Sequence, residues 1–471
     1  MCAGANSAAS TLLNTADSRH LVLARFPSMH SVTAFRLDLR ALFRNFARML
    51  GVQLLTAAIQ LAIVALIAKE YGPRGSGVYV VSLLLPTLLA TFLNLGANSS
   101  NVYYLGAGRF PVQTIWKTSW TLIRVLGLAG LLLGAGVILF KAEDYFPGIG
   151  RPVLWVALLA FPFSLAQGFL NSLFQGLQDF RRLNLCMLAQ PALTLGGIAV
   201  LVAAGQTEVL APVCANLAGA AGGVAFSWLL LRKHLRSEEP DSHSGYMDKA
   251  LRYGFKAYLS NLLTFLQSRA DTFLINMLIN PAAAGIYSIA FQIGEKLWML
   301  SQAVSVVLLP KLSAMSKEEE RRIQITTAIS RMVFAVSAAG AVLLGILAYP
   351  LILVLFGATY RPSYVPFILL LPGMIALAPA RVIANDIAAR GKPELNLYMA
   401  LAGVVLTITG NLIVLPHLGI HGAAIVTSAA YILDLLMKIL TYRAITKAPF
   451  FSLVLMRRND VRDVVGAFKP S

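Results

Sequence analysis

The sequence has little charge and almost no cysteine. Of its 471 residues, 57% are apolar and 13% are charged, whereas about a quarter of the residues in soluble globular proteins are charged. A water-soluble surface on a chain of this length would need far more charge, which excludes soluble enzymes and disordered proteins. The three cysteines are too few and too scattered for a disulfide framework or a thiolate metal site.

Catalytic signatures are also missing. The chain contains no G-x-x-x-x-G-K-[ST] phosphate loop, no H-E-x-x-H motif and no serine nucleophile elbow, and its six histidines are scattered. The sequence therefore predicts a protein that is not an enzyme and that carries no cofactor and no metal site.

Long apolar runs are what the sequence has instead. A helix needs about 20 apolar residues to cross the hydrocarbon of a bilayer. Twelve such spans are predicted, near residues 49–68, 77–97, 116–140, 152–173, 183–204, 209–231, 255–280, 284–308, 325–356, 364–388, 395–415 and 419–441. With this placement, 27 of the 39 Lys and Arg residues fall on the side of the two termini and five on the other face. Because basic residues favour the cytoplasmic side, both termini are predicted to be cytoplasmic, and the net charge of +18 indicates topology and not nucleic-acid binding.

An internal repeat divides the spans into two halves. Pro73, Gly77 and Tyr79 match Pro281, Gly285 and Tyr287 at a constant offset of 208 residues. Further matches near 183–187 and 395–399 follow at an offset of 212. Each half holds an even number of spans, so the halves enter the membrane from the same side. The predicted fold is an all-α polytopic membrane protein with about twelve transmembrane helices in two parallel six-helix repeats.

The domain boundaries follow from the polar breaks between the spans. We predict a cytoplasmic leader (1–43), an N-terminal six-helix lobe (44–231), a cytoplasmic linker (232–249), a C-terminal six-helix lobe (250–441) and a cytoplasmic tail (442–471). Two such lobes meeting at one interface are typical of transporters that work by alternating access. A duplicated structural bundle without transport is the alternative.

Polar residues recur at helical spacing in four spans. Gln53, Thr56 and Gln60 of the first span match Asn261, Thr264 and Ser268 of the seventh at the 208-residue offset. The eighth span carries Ser288, Gln292, Glu295 and Gln302, of which the last two match Thr87 and Asn94 of the second span. Such faces either line a polar path or hold helices together by hydrogen bonds. Recurrence at equivalent positions in both halves favours the path.

Charges inside predicted spans are expensive and therefore informative. Arg269, Glu295 and Arg381 are the functional candidates, with Asp271 and Lys296 available as structural partners. Asp434 and Lys438 lie four residues apart and are predicted to neutralise each other. Arg124 and Arg331 lie near the cytoplasmic ends of their spans, where they are expected to extend toward the headgroups.

The segment from Arg269-Ala-Asp271 to Gly285-Ile-Tyr287 resembles the Wzx-type polysaccharide exporters of the multidrug/oligosaccharidyl-lipid/polysaccharide exporter superfamily, over roughly residues 44–440. The resemblance implies that an undecaprenyl-pyrophosphate-linked oligosaccharide is flipped across the bacterial inner membrane. Membrane lipid, a polysaccharide polymerase and glycosyltransferases are the partners it implies. The expected substrate-binding residues are Arg48, Lys256, Arg269, Arg381, Gln53, Gln60, Asn261 and Gln292, with Glu295 or Asp271 for ion coupling.

Three other functions stay open at this point. A multidrug/cation antiporter of the same superfamily is disfavoured because the spans of the N-terminal half contain no Asp or Glu and the cavity would be basic. A lipid II flippase would fit a cationic site equally well. Chains of that kind usually have fourteen spans, whereas twelve are predicted here. A non-transporting scaffold for a glycan synthase complex would not move lipid-linked sugar in proteoliposomes.

Overall fold

The computed structural model describes residues 39–232, 234–235, 245–298, 301 and 318–454, with the side chains of 39–50, 256, 257, 260, 261 and 451 excepted. Its α-helices are α1 (Leu39–Ser82), α2 (Leu84–Leu93), α3 (Ala97–Gly106), α4 (Val112–Tyr145), α5 (Arg151–Leu159), α6 (Phe161–Gly176), α7 (Phe180–Ala203), α8 (Leu210–Leu231), α9 (Tyr246–Leu278), α10 (Pro281–Glu295), α11 (Glu319–Phe356), α12 (Tyr364–Ala389) and α13 (Pro393–Thr446). Short 3-10 helices cover Ala358–Ser363 and Phe450–Leu453. Contacts divide the chain into Met1–Arg48, of which the described part is the start of α1, and Met49–Ser471.

The described helices account for the predicted number of spans. Within the part of the chain that the structure describes, eight helical segments are long and apolar enough to cross a membrane. Two of them, Gly51–Leu93 with 43 residues and Pro393–Thr446 with 54, are about twice the length of one crossing. Both break inside, at Gly72 (φ 64°) and Gly419 (φ 55°), and so contain two crossings each. With the charged helix α9 and with α10, whose predicted span runs beyond the described residues, the all-α fold of about twelve spans is confirmed.

The repeat appears in the backbone as two equivalent breaks. At Gly72 the first helix turns sharply and continues from Pro73, and 208 residues later the chain breaks at Asn280 and α10 starts at Pro281. Proline is favoured at the first position of a helix because its missing N–H needs no partner there. The Asn280 side chain accepts a hydrogen bond from the Ala283 amide at 2.8 Å and caps the second of these helices.

Two boundaries differ from the predicted ones. Helix α3 occupies a stretch predicted to be a loop, because Leu95 (φ 50°) and Gly96 (φ 75°) turn the chain and a new helix begins. Helix α9 begins at Tyr246, inside the predicted linker. Tyr246 is buried there, and its hydroxyl donates to Asn101 Oδ1 on α3 at 2.6 Å.

Helix α9 links the two halves. Helices α2 to α8 pack on one another, α12 packs against α11 and α13, and α9 contacts members of both groups. Its beginning meets α3, where the Gly254 and Gly96 backbones touch, and its end meets α10 and α13. The exact bounds of the lobes at 44–231 and 250–441 stay a prediction, and the leader to residue 38, most of the linker and the tail after residue 454 lie outside the described residues.

Candidate transport cavity

A cavity of about 500 Å³, lined by both polar and apolar side chains, lies among the membrane-spanning helices. This volume is within the range of small-molecule sites. Its polar lining residues are Thr56, Gln60, Tyr79, Thr87, Gln167, Asn171, Gln190, Thr194, Asn216, Arg269, Gln292, Glu295 and Lys296. They come from α1, α2, α6, α7, α8, α9 and α10, so both halves of the repeat contribute to one site.

All charged residues of the described cavity lining belong to the C-terminal half. Arg269 of α9 lies 3.6 Å from Glu295 at the end of α10, and the two side chains are 34% and 27% exposed. Lys296 follows Glu295 and also lines the cavity. Two cations and one carboxylate leave this wall with a net positive charge. The Arg269 guanidinium also lies 5.7 Å from the centre of the Phe291 ring, which stabilises it in a partly buried position.

The wall formed by the N-terminal half carries hydroxyls and carboxamides. Gln167 is buried, and its amide nitrogen donates to Asn171 Oδ1 at 2.9 Å and to Ser227 Oγ at 3.0 Å. The Asn216 amide donates to the Tyr79 hydroxyl at 3.4 Å. These bonds fix the orientation of the side chains while the wall stays uncharged.

The cavity brings together four of the predicted site residues. Gln60, Arg269, Gln292 and Glu295 line it, and so do Thr56 and Thr87 of the matched polar faces. Thr87 and Glu295 are equivalent at the 208-residue offset, so the repeat register places corresponding positions in one cavity.

Other predicted site residues lie elsewhere. Gln53 is half-buried on α1 and does not belong to the described lining. Arg381 of α12 also lies off the described lining, with its guanidinium 4.8 Å from the centre of the Trp298 ring. The side chains of Arg48, Lys256 and Asn261 are outside the described residues.

Asp271 sits in the interior of the C-terminal half, away from the cavity lining. It is 1% exposed and accepts hydrogen bonds from Thr427 Oγ1 at 2.5 Å, Asn411 Nδ2 at 2.7 Å and the Tyr287 hydroxyl at 3.1 Å. Arg269 pairs with Glu295, so the expectation that Asp271 serves as a partner of the cavity charges is wrong. Residues 269 and 271 lie about 200° apart around a helix of 3.6 residues per turn, which separates the two side chains.

Further charges inside spans have structural partners. Lys438 Nζ lies 2.6 Å from Asp434 Oδ2, which confirms the predicted pair. Arg124 is exposed and lies over Trp120. Arg331 does not extend to the headgroups as expected, because it is buried and donates to the carbonyl oxygen of Ser452.

Sequence reasoning missed part of the lining. Lys296 was expected to be a structural partner, yet it lies on the cavity wall with Glu295. Gln167 and Asn171 are four residues apart in an apolar helix, a spacing that places both on one face and could have marked them. Gln190 and Asn216 are isolated amides on α7 and α8, and they become recognisable as lining residues once the helices are packed.

Comparison with known proteins agrees with this architecture. Residues 112–365, more than half of the chain, match the model of the family described as "Polysaccharide biosynthesis protein". The chain is 21% identical over 397 residues to the probable low-salt glycan biosynthesis flippase Agl15 of Haloferax volcanii, covering 83% of this chain and 81% of the relative.

Two solved structures are similar in fold. The lipid II flippase MurJ in an inward closed conformation has a TM-score of 0.71 at 15% identity, over 88% of this chain and 89% of that one. An inward-facing multidrug resistance transporter of the MATE family has a TM-score of 0.66 at 14% identity, over 83% and 94%. The resemblance to the exporter superfamily is thereby confirmed, and the chain belongs to the polysaccharide biosynthesis protein family.

Proposed function

We propose that this multi-pass membrane protein flips an oligosaccharide linked to undecaprenyl pyrophosphate across the bacterial inner membrane, by alternating access between two lobes. The observation that carries the proposal is the cavity among membrane-spanning helices, which contains hydroxyl and carboxamide groups and has Arg269 and Lys296 on one wall. A pyrophosphate–sugar headgroup cannot cross about 30 Å of hydrocarbon unaided, because its charges and hydroxyls would lose their hydration. A cavity with cations and amides replaces that hydration while the polyprenyl tail stays in the bilayer.

The names of similar proteins support a lipid-linked glycan as the substrate class. The Haloferax volcanii relative is named as a glycan biosynthesis flippase, and one structural neighbour as a lipid II flippase. A polysaccharide polymerase and glycosyltransferases are the proteins we expect to act on the same lipid-linked substrate.

The remaining predicted residues take roles around this cavity. Arg48 and Lys256, equivalent in the repeat, are proposed to attract the pyrophosphate at the cytoplasmic mouth. Arg381, Gln53 and Asn261 are proposed to lie along the path that opens when the lobes move. Gln60 and Gln292 are proposed to hydrogen-bond the headgroup inside the cavity.

Ion coupling is proposed at Asp271. Its carboxylate is buried among three neutral hydrogen-bond donors, and binding of H⁺ or Na⁺ there would compensate a charge that is costly inside a membrane protein. Glu295 is the second candidate, but its carboxylate already lies 3.6 Å from Arg269.

A multidrug/cation antiporter is the second candidate function, since transporters of that class share the fold. The net positive charge of the described lining disfavours it, because a cationic drug would be repelled. A lipid II flippase differs from our proposal in the sugar and peptide part of the headgroup and would use the same cationic wall.

Transport in proteoliposomes tests the proposal. We expect the wild-type protein to move a fluorescent polyprenyl-pyrophosphate oligosaccharide between leaflets and Arg269→Ala to slow this movement at least about 10-fold, while Arg269→Lys keeps part of it. Arg151→Ala is the matched control, because Arg151 pairs with Glu143 in an exposed position, with 57% and 89% of the side chains accessible. Equal rates for Arg269→Ala and wild type, or export of cationic dyes in place of the lipid, would contradict the proposal.

A further inference from the structure

The two walls of the cavity differ in charge, and this difference orients a substrate. Arg269, Glu295 and Lys296 belong to the C-terminal half, and the described lining contributed by the N-terminal half contains no charged side chain. An anionic group therefore has a favourable position against one wall. The remainder of the headgroup then lies against the other.

The N-terminal wall offers hydrogen-bonding groups that are held in place and still open. Gln167 Nε2 donates to both Asn171 Oδ1 and Ser227 Oγ, which fixes the Asn171 carboxamide through its oxygen. The amino group of Asn171 is not used in these bonds and remains available to a ligand. No hydrogen bond among the described residues engages the carboxamide of Gln190. Each carboxamide can donate and accept, as the vicinal hydroxyls of a sugar require.

An uncharged wall also discriminates against anionic sugars. A carboxylate placed there would lose water without gaining a cation, and burying an unpaired charge is far more costly than burying a hydrogen-bonded hydroxyl. Hydroxyl and acetamido groups would leave no charge uncompensated.

Resting on the proposed function, we infer that Asn171 and Gln190 form a saccharide subsite that selects an uncharged sugar next to the pyrophosphate, which Arg269 and Lys296 hold on the opposite wall. The lipid-linked oligosaccharide thus lies across the cavity, with its phosphates toward the C-terminal half and its first sugar toward the N-terminal half.

Binding to the full-length protein in nanodiscs, measured by calorimetry, tests this orientation. The probes are farnesyl pyrophosphate, the same lipid bearing N-acetylglucosamine, and the same lipid bearing glucuronic acid. Gln190→Leu and Asn171→Leu should weaken binding of the N-acetylglucosamine probe about 3- to 10-fold each, from the loss of one hydrogen bond. Both variants should leave farnesyl pyrophosphate binding unchanged, whereas Arg269→Gln should weaken all three probes.

Matched variants separate a subsite from a structural role. Gln206→Leu replaces an exposed glutamine in the loop before α8 and should change nothing. Asn171→Leu also removes the acceptor of Gln167, so Gln190→Leu keeps the test valid if the first variant fails to fold.

The outcomes are distinguishable. Equal loss for the sugar-bearing and sugar-free probes, no loss in either variant, or glucuronic acid binding as tightly as N-acetylglucosamine would overturn the inference while the proposed function stands. If wild-type protein binds none of the three prenyl pyrophosphates, the proposed function fails together with the inference.

Discussion

Gly77 and Gly285, which occupy equivalent positions in the two halves of the repeat, pack directly against each other. A Cβ built on Gly285 would lie 2.8 Å from the Gly77 nitrogen, and one built on Gly77 would lie 3.1 Å from the Gly285 nitrogen. Each would also overlap a carbonyl oxygen of the other motif, that of Pro73 or Pro281. The contact is reciprocal, as a pseudo-two-fold axis requires, and it joins the halves on the face predicted to be periplasmic.

Neighbouring contacts at this face also join the two halves. Gly148, in the loop between α4 and α5, lies against the ring of Pro281, and Tyr360 donates or accepts a hydrogen bond with Ser76 Oγ at 2.6 Å. Residues 148 and 360 are 212 positions apart, which is the offset found in the later part of the repeat. These contacts join the two halves on one face, so the alternating-access cycle proposed above would have to break them.

Replacing Gly77 by Ala should weaken this contact between the halves. The added methyl overlaps the Pro281 carbonyl, so the closed arrangement is destabilised relative to one in which the halves have separated. With cysteines introduced at Ser76 and Tyr360, we expect a lower yield of cross-linked protein and slower transport in the Gly77→Ala background. Gly136→Ala is the control, because a Cβ there meets nothing within 4 Å. Unchanged cross-linking in Gly77→Ala would show that the halves tolerate the methyl group.

Much of this architecture could be predicted from the sequence, and the reasons are specific. The Pro73/Pro281 repeat can be read directly from the order of residues in the chain. The bias of basic residues can be read from the loops between apolar runs, because basic residues favour the cytoplasmic side of a membrane. Helix α3 and the start of α9 escaped prediction because tertiary contacts define them. Tyr246 lies in a polar stretch, and its burial depends on Asn101, 145 residues earlier.

The candidate site was predicted less completely than the fold. Arg269 and Glu295 stand out because charges are rare in spans, and both line the cavity. Asp271 stands out for the same reason, but its carboxylate accepts a hydrogen bond from Asn411 of α13 and lies away from the cavity. A neutral amide such as Gln190 costs little in a helix bundle, so nothing in its sequence context separates a lining residue from one that packs helices.

The ion coupling proposed at Asp271 predicts that Asp271→Asn uncouples transport from H⁺ or Na⁺. The substitution keeps the size of the side chain and removes the charge, so a bound H⁺ or Na⁺ would no longer be required for compensation. We expect transport in proteoliposomes to lose its response to an imposed H⁺ or Na⁺ gradient, while residual movement down the substrate gradient persists. Asp144→Asn, in an exposed pair with Lys141, should keep the full response. A wild-type gradient response in Asp271→Asn would exclude this residue from coupling.

Asp386→Ala should destabilise the C-terminal half strongly. Asp386 is fully buried and accepts hydrogen bonds from Arg322, from Thr326 Oγ1 at 3.2 Å and from Arg390 at 3.3 Å. Removing it leaves the buried Arg322 guanidinium without its carboxylate partner, which costs about 3–5 kcal/mol, whereas Arg390 keeps its ion pair with Glu319. Thermal unfolding in detergent measures the effect, and Glu143→Ala, in an exposed pair with Arg151, should cost at most about 1 kcal/mol. Comparable losses of stability in the two variants would mean that the hydrogen bonds and ion pairs of Asp386 do not stabilise the fold.

Tyr246→Phe should loosen the junction between α3 and α9. The lost hydroxyl leaves Asn101 Oδ1 without its donor, while the Asn101 amide still donates to Ser119 and Ser172 at 3.1 and 3.0 Å. An unsatisfied buried acceptor costs about 1–3 kcal/mol. We expect faster hydrogen exchange at the start of α9, with no change in exchange at the end of the same helix, where Asp271 lies. Equal hydrogen exchange at the start of α9 in the wild type and in Tyr246→Phe would contradict a local role for this hydrogen bond.

Truncation after Lys447 should destabilise the protein, although the predicted tail begins at residue 442. The described part of that tail packs into the bundle: Leu453 is fully buried, and its carbonyl oxygen accepts from Ser330 Oγ at 2.8 Å. Arg331 donates to the neighbouring Ser452 carbonyl. Without these acceptors a buried guanidinium and a buried hydroxyl of α11 lose hydrogen bonds, and the apolar contacts of Leu453 are lost as well. We expect the melting temperature in detergent to fall by several degrees. A truncated chain that melts at the same temperature as the full-length protein would show that the segment contributes no stability.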